Sequence, residues 1–350
     1  MATEILKISL NDPDIRQINH AVEVLRLGGL VILPTETVYG LAANYKSKIA
    51  YEKLYEIKER PKDKPFALAI ADKEAIDGLA KNIPVFVYKL VEKFWPGPLT
   101  IILNAKESGQ IAFRMPDNKV SLMIIDMLGM PVYLTSANIS GKPPCITVED
   151  SLKDLNDKVE LAVDTGKSEL EIASTIIKVV GNTYEVVREG VIKDVDIKRV
   201  VETKKILFVC TGNSCRSVMA EGLLKKYLGK RGDIHVSSAG IITAFGMGPT
   251  HETIKMLSFE GIDMRGHAGR KVTHEMLRGS DLILVMEKFH EERIKFIEPS
   301  VRNRVFLLKE FAKIKDGSVE IKDPIGRGDQ VYFEVFTIIK DAVEQIVKII

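Results

Sequence analysis

The sequence predicts two α/β domains, each a sheet wrapped by helices, with the boundary near Thr203-Lys204. Three observations carry this expectation. The length of 350 residues suits about two domains at roughly 100–200 residues each. Short apolar runs alternate with stretches of helical apolar spacing along the whole chain. Polar clusters recur where the apolar runs end, the place where open α/β sheets tend to bind ligands. The composition, 45% hydrophobic and 28% charged, is that of a soluble globular protein with enough apolar material for two cores. A net charge of +2 provides no global field for nucleic acid or a membrane surface. No window approaches the ~18 apolar residues of a membrane span, and Met1-Ala2-Thr3-Glu4 does not start a signal peptide. The three cysteines, Cys145, Cys210 and Cys215, make neither a disulfide framework nor a zinc site. A reducing, cytoplasmic setting and no protein-held metal are therefore expected.

In the first half, residues 14–27 space Ile15, Ile18, Val22, Leu25 and Leu27 as a helix, and Gly28-Gly29 ends it. Residues 30–33 form a buried strand running into Pro34-Thr35-Glu36-Thr37-Val38-Tyr39-Gly40. A helix spans about 50–59 and a strand 66–70. Asn82-Ile83-Pro84 opens a helix to Phe94, closed by Trp95-Pro96-Gly97-Pro98. Strands follow at 99–103, 111–114 and 132–135, the last leading into Ser136-Ala137-Asn138-Ile139-Ser140-Gly141. Thr35, Arg114 and Ser136 thus sit at strand ends. Lys58, Arg60, Lys62 and Lys64 form a basic group suited to a polyphosphate, or, with Glu52, Glu56 and Glu59 interleaved, a solvated helix face. Asp164-Thr165-Gly166-Lys167-Ser168 is not a phosphate loop, because Leu161 stands where the first glycine is needed.

These motifs, with Lys58-Glu59-Arg60-Pro61, Phe94 to Thr100, Arg114-Met115-Pro116, Ser174-Thr175-Ile176-Ile177 and Arg188-Glu189-Gly190, together resemble the YrdC-like threonylcarbamoyl-AMP synthases over about 200 residues. The resemblance implies condensation of L-threonine with bicarbonate and adenylylation of the carbamate by ATP, the substrate nucleotide, with Mg2+ and release of pyrophosphate. It also implies an indirect link to tRNA through other threonylcarbamoyl-modification proteins. By position, Thr35, Arg114 and Ser174 would handle threonine or its carbamate, and Lys58, Arg60, Lys62, Ser136, Asn138 and Arg188 would handle ATP. Arginine pairs well with carboxylates, and the cations would neutralise charge at the α-phosphorus. Ala69 departs from members that carry histidine there. A binding reading stands beside this one: an RNA-binding first half without catalysis.

Residues 191–203, charged and apolar by turns, read as a short join. After it, 206–209 form a buried strand ending in Cys210-Thr211-Gly212-Asn213-Ser214-Cys215-Arg216-Ser217. Val218, Met219, Ala220, Leu223, Leu224, Tyr227 and Leu228 then follow at helical spacing. Gly212 and Asn213 both tolerate positive φ, so the loop can turn its amides inward as an anion nest at a helix N-terminus. There Cys210 would ionise and attack phosphorus, Arg216 would grip two oxygens, and Ser217 would donate to the sulfur. Cys215 is either a redox partner of Cys210 or packing. Strands at 234–238, 281–286 and 304–308, and helices at 249–260 and 331–350, complete a four-stranded parallel sheet.

CTGNSCRSVMAEG, with Ser237-Ser238-Ala239-Gly240 and Asp323-Pro324, resembles the low-molecular-weight protein phosphatases through to the C-terminus. The resemblance implies a phosphocysteine intermediate on Cys210, no cofactor, and Asp323 as general acid. Val218 replaces the usual proline, and Ile325-Gly326-Arg327-Gly328 follows Asp323-Pro324 where tyrosine-specific members place aromatics. With Ser214, this leans toward phosphoarginine over phosphotyrosine in a phosphoprotein substrate. The arsenate reductases share that fold, but their thioredoxin-coupled type needs cysteines beyond Cys215, and none follows.

Overall fold

The structure, a computed structural model, describes residues 2–61, 65–243 and 247–350. By internal contacts the chain separates into Met1–Val200 and Val201–Ile350. Among the described residues no helix is long and apolar enough to cross a membrane.

The first unit is built on ten strands: β1 (Glu4–Lys7), β2 (Val31–Leu33), β3 (Gly40–Asn44), β4 (Ala67–Ala69), β5 (Leu99–Asn104), β6 (Gln110–Arg114), β7 (Val132–Ser136), β8 (Leu161–Asp164), β9 (Thr175–Val180) and β10 (Thr183–Arg188). They form one mixed sheet in the order β1-β8-β2-β3-β7-β4-β6-β5-β9-β10. Side chains alternate across it. Val31 and Leu33 join a core under the helices Ile15–Arg26 and Lys119–Leu128, whereas Leu30 and Ile32 join a second core with Lys48–Lys58 and Val148–Leu155. The first helix is capped by the Asp14 carboxylate, which accepts from Arg16 N–H at 2.8 Å. Its buried stripe is Ile18, Ala21, Val22 and Leu25. Ile15 and Leu27, expected in that stripe, are exposed, because they lie at the two ends of the helix.

The second unit carries β11 (Lys204–Cys210), β12 (Ile234–Gly240), β13 (Leu282–Val285) and β14 (Val305–Leu307) in the order β12-β11-β13-β14. Every pair is parallel, as expected. Ile206, Phe208 and Cys210 face the core shared with the helices Arg216–Leu228 and Asp329–Val347, while Leu207 and Val209 face the opposite one. The closing helix buries Tyr332, Phe336, Ile339, Val343 and Ile346 on one face.

Two sequence readings gain detail. The short join at 191–203 contains the helix Asp194–Glu202, whose single buried residue is Ile197. Its apolar stripe is too thin to stand out from a charged linker by pattern alone. In the 210–216 loop only Asn213 adopts positive φ, at 53°, and Gly212 does not.

Candidate functional sites

In the second unit the parallel strands bring Cys210, Gly240 and the residues after Val285 to one margin of the sheet. Four of the loop carbonyls are tied back to the segments 241–243 and 250. Cys210 and Thr211 carbonyls accept from Ile241 and Ile242 N–H at 3.0 and 2.9 Å, Gly212 from the Thr243 hydroxyl at 3.3 Å, and Ser214 from Thr250 N–H at 3.1 Å. Among the described residues no protein acceptor receives the N–H groups of residues 211–215. Buried amides need partners, and a run of them above a helix N-terminus is an oxyanion cradle. Gly240 permits the curl: a Cβ there would lie 2.7 Å from the Thr211 carbonyl and 2.9 Å from Asn213 N.

Asn213 holds the loop from within. Its Oδ1 accepts from Arg270 N–H at 3.0 Å, and its Nδ2 donates to Ser217 Oγ at 3.0 Å and Ser238 Oγ at 2.8 Å. Because Ser217 Oγ accepts from Asn213, its own proton points to Cys210 Sγ, 3.0 Å away. Ser238 Oγ in turn donates to Oε2 of the buried Glu221 at 2.5 Å.

Arg216 is 1% exposed. Its Nη1 binds Glu287 Oε2 at 2.6 Å and the Ile321 carbonyl at 2.8 Å, and its Nη2 binds Asp323 Oδ2 at 2.5 Å. Nε has no partner. The Nη1 edge is therefore anchored, while the Nε–Nη2 edge, the one that forks onto two oxygens, carries the Asp323 carboxylate and, at 3.3 Å, Thr211 Oγ1. Glu287 and His290 join the site without having been singled out by pattern. The signal was available: Glu287 follows a strand end, as Thr211 does. Glu287 N–H donates to His290 Nδ1 at 3.1 Å, which places the ring proton on Nε2, 3.0 Å from Thr211 Oγ1. Cys215 is a free, buried thiol 3.4 Å from Tyr332 Oη and 3.6 Å from Thr250 Oγ1.

Burial, reinforced by the Arg216 charge, pushes His290 down to about 4. Between pH 6.5 and 4 the unfolded chain thus binds a proton that the folded chain refuses. Stability present above pH 6.5 is lost as pH falls toward 4. Urea unfolding of the second unit is expected to show this loss between pH 7 and 5, and His290→Gln is expected to flatten it.

In the first unit, Thr35, Lys58, Arg60, Arg114, Ser136, Asn138, Ser174 and Arg188 all line one cavity of about 690 Å³. Lys62, the remaining expected ATP contact, lies outside the described residues. The floor is the sheet face itself, with Thr100 and Ile102 of β5, Gln110, Ala112 and Arg114 of β6, and Leu134 and Ser136 of β7. Arg114 closes β6, Ser136 closes β7 and Thr35 follows the end of β2, the strand-end placement expected of them. The cavity also extends across the sheet face, where β7 runs antiparallel to both of its neighbours.

Lys58 is fully buried, and its ammonium spends its three protons on the Ser136 carbonyl at 2.6 Å, Asn138 Oδ1 at 3.0 Å and the Asn138 carbonyl. Burial, with the nearby Arg60 charge, pushes it down to about 8. Asn138 Nδ2 in turn holds the Lys142 and Pro143 carbonyls. Lys58 is thus the pin of the 136–143 loop, not a solvated face. Arg60 stacks on Phe66, 5.1 Å from the ring centroid.

At the other end of the cavity, Thr35 Oγ1 accepts from Thr37 and Val38 N–H at 3.2 Å. Arg114 Nη2 donates to Thr37 Oγ1 at 2.7 Å and lies 2.9 Å from Glu36 Oε1, an ion pair not aligned as a hydrogen bond. Its buried Nε has no partner, the kind of donor a carboxylate satisfies. Arg188 forks Nε and Nη2 onto the Ser174 carbonyl at 3.1 and 2.8 Å, and Ser174 Oγ meets Thr100 Oγ1 at 2.9 Å. Gly190 permits that approach, since a Cβ would lie 2.1 Å from the Ala173 carbonyl. Glu36, Thr37 and Thr100 join the site without having been singled out by pattern.

Residues 23–190 match the Sua5/YciO/YrdC family, described as "Telomere recombination", and residues 205–350 match "Low molecular weight phosphotyrosine protein phosphatase". A threonylcarbamoyl-AMP synthase of Pyrococcus abyssi is 32% identical over 63% of this chain and 67% of its own length. A Bacillus subtilis synthase is covered over 58% of its length at 36% identity. The Escherichia coli low-molecular-weight protein-tyrosine-phosphatase Wzb is 34% identical over 40% of this chain and 90% of its own. The crystal structure of Escherichia coli YciO superposes with a TM-score of 0.51 at 28% identity, over 56% of this chain and 98% of that one.

Proposed function

This chain belongs to the threonylcarbamoyl-AMP synthase family by its first half and to the low-molecular-weight phosphotyrosine protein phosphatases by its second, and from that premise we propose a bifunctional enzyme. The first unit condenses L-threonine, bicarbonate and ATP to threonylcarbamoyl-AMP and pyrophosphate. The observation that carries this is the convergence of eight expected residues on one cavity. Arg114, through its free Nε, takes the threonine carboxylate. Lys58 shapes the 136–143 loop against the nucleotide, and Arg60 and Arg188 supply charge toward its phosphates. Among the described residues no group of three or more acidic, histidine or cysteine side chains is placed to hold a metal. Mg2+ would therefore arrive on the ATP phosphates, as is usual for that ion. The test is pyrophosphate release from ATP, expected only when threonine and bicarbonate are both present. Release independent of threonine rejects the reading.

The second unit removes phosphate from a phosphoprotein. Cys210 sulfur attacks phosphorus in line while the bond to the leaving atom breaks, and Asp323 protonates that atom. The Asp323 carboxylate then takes a proton from water, which attacks phosphorus and frees the thiolate and inorganic phosphate. The incoming oxyanion takes the Nε–Nη2 edge of Arg216 from Asp323, which frees that carboxyl for proton transfer. After Asp323-Pro324 the turn offers Ile325, 56% exposed, and no aromatic ring, which favours phosphoarginine over the flat ring of phosphotyrosine. The expected outcome is a higher kcat/KM on phosphoarginine than on phosphotyrosine in the same peptide; the reverse order rejects this preference.

A further inference from the structure

The second unit holds another concavity, about 720 Å³, that the chemistry above does not use. Its walls are Ile241, Ile242, Lys271, Phe289, Arg293 and Ile297, with Thr243, Val272 and His274. Two of these walls are tied to the nucleophile loop. Ile241 and Ile242 N–H donate to the Cys210 and Thr211 carbonyls. Phe289 precedes His290, whose Nε2 meets Thr211 Oγ1. The groove therefore borders the nucleophile loop.

Its chemistry is one-sided. Ile242 is 67% exposed and Phe289 55%, a high exposure for large apolar groups side by side. Among the described residues no carboxylate lines it. Lys271 and Arg293 have no carboxylate partner among the described residues, and Arg293 instead lies over the ring of Phe296, 5.5 Å from its centroid. Among the described residues, the lining group with an acidic partner is His274, 3.0 Å from Glu298. Two uncompensated cations above an exposed apolar floor complement a chain segment that carries both acidic and apolar side chains.

We propose that this groove binds the segment flanking the phosphorylated residue of the protein substrate, and selects substrates whose flank combines aspartate or glutamate with aliphatic side chains. The proposal rests on the phosphatase reading, and its test separates the two. The full-length chain is assayed on a small aryl phosphate and on paired phosphopeptides, made with phosphoarginine and with phosphotyrosine. One peptide of each pair has an acidic and aliphatic flank, the other a lysine and serine flank. The acidic, aliphatic flank is expected to raise kcat/KM at least about tenfold, and the advantage is expected to shrink as salt is raised. Lys271→Glu/Arg293→Glu is expected to abolish or invert the preference while the aryl phosphate rate stays within about twofold. The milder Lys271→Ala/Arg293→Ala pair is expected to give an intermediate preference. Equal rates on the two flanks, or a preference that survives the charge reversal, overturns the groove proposal alone. No hydrolysis of the aryl phosphate by the unmodified chain overturns the phosphatase reading and this proposal with it.

Discussion

Cys210→Ser is expected to lower phosphate release from a phosphopeptide by at least roughly 10³-fold, while threonine-dependent pyrophosphate release stays within about twofold of the parent. The reasoning is local. A serine hydroxyl fits the volume of the thiol, still meets Ser217, and disturbs none of the bonds that tie the loop carbonyls back to Ile241, Ile242, Thr243 and Thr250. The amide cradle and the Arg216 fork persist, so phosphate binding is retained. What is lost is the nucleophile, because an alcohol is not ionised under conditions where an activated thiol is. A denaturing quench at neutral to alkaline pH during turnover should trap phosphorus on Cys210 of the parent chain. Phosphate release within tenfold of the parent would remove sulfur from the mechanism.

The second large effect is expected at Lys58. Lys58→Ala takes the shared donor from three oxygens; the Ser136 carbonyl keeps Asn138 N–H and Asn138 Oδ1 keeps the Ser136 hydroxyl, so the Asn138 carbonyl is left unpaired. A buried polar group left unpaired costs about 1–3 kcal/mol. The cost falls on the loop that forms one wall of the cavity. Synthase activity is expected to drop roughly 100-fold or more, with the phosphatase rate unchanged. Lys58→Arg keeps the charge but replaces three convergent donors with a planar fork, so only partial recovery is expected. If Lys58→Ala retains synthase activity within threefold, the lysine is neither the pin of the site nor a source of its charge. Loss of both activities from either substitution would mean coupling between the sites, or misfolding, and the urea transitions would separate those.

Much of the second unit was legible because its chemistry is contiguous. Strand, loop and helix follow one another from Lys204 to Leu228, and Asn213 is the residue type that a left-handed turn selects. The first unit was harder to read. β3, β8, β9 and β10 are only four to six residues long, and short runs carry little period to count. β9 pairs in parallel with β5, 76 positions earlier at Leu99↔Thr175, and no local pattern announces such a partner. Lys58 misled in a different way. Its interleaved glutamates mark a solvated helix, yet it is the last residue of Lys48–Lys58, where the chain turns at Glu59 with φ 48° and the side chain swings under the sheet.

The order of amino acids by itself determined the two α/β halves, the cysteine loop with its helix, and the set of polar residues that would matter in the first half, since all of these depend on neighbours a few positions apart. Tertiary structure alone decided that the first cavity lies across a sheet face, and that Arg216 meets Glu287 and Asp323, 71 and 107 positions away. It also decided that a cation-lined groove opens beside the nucleophile. Such partners are chosen by strand order and by which faces are buried, and those are properties of the whole packed chain that no window of sequence contains.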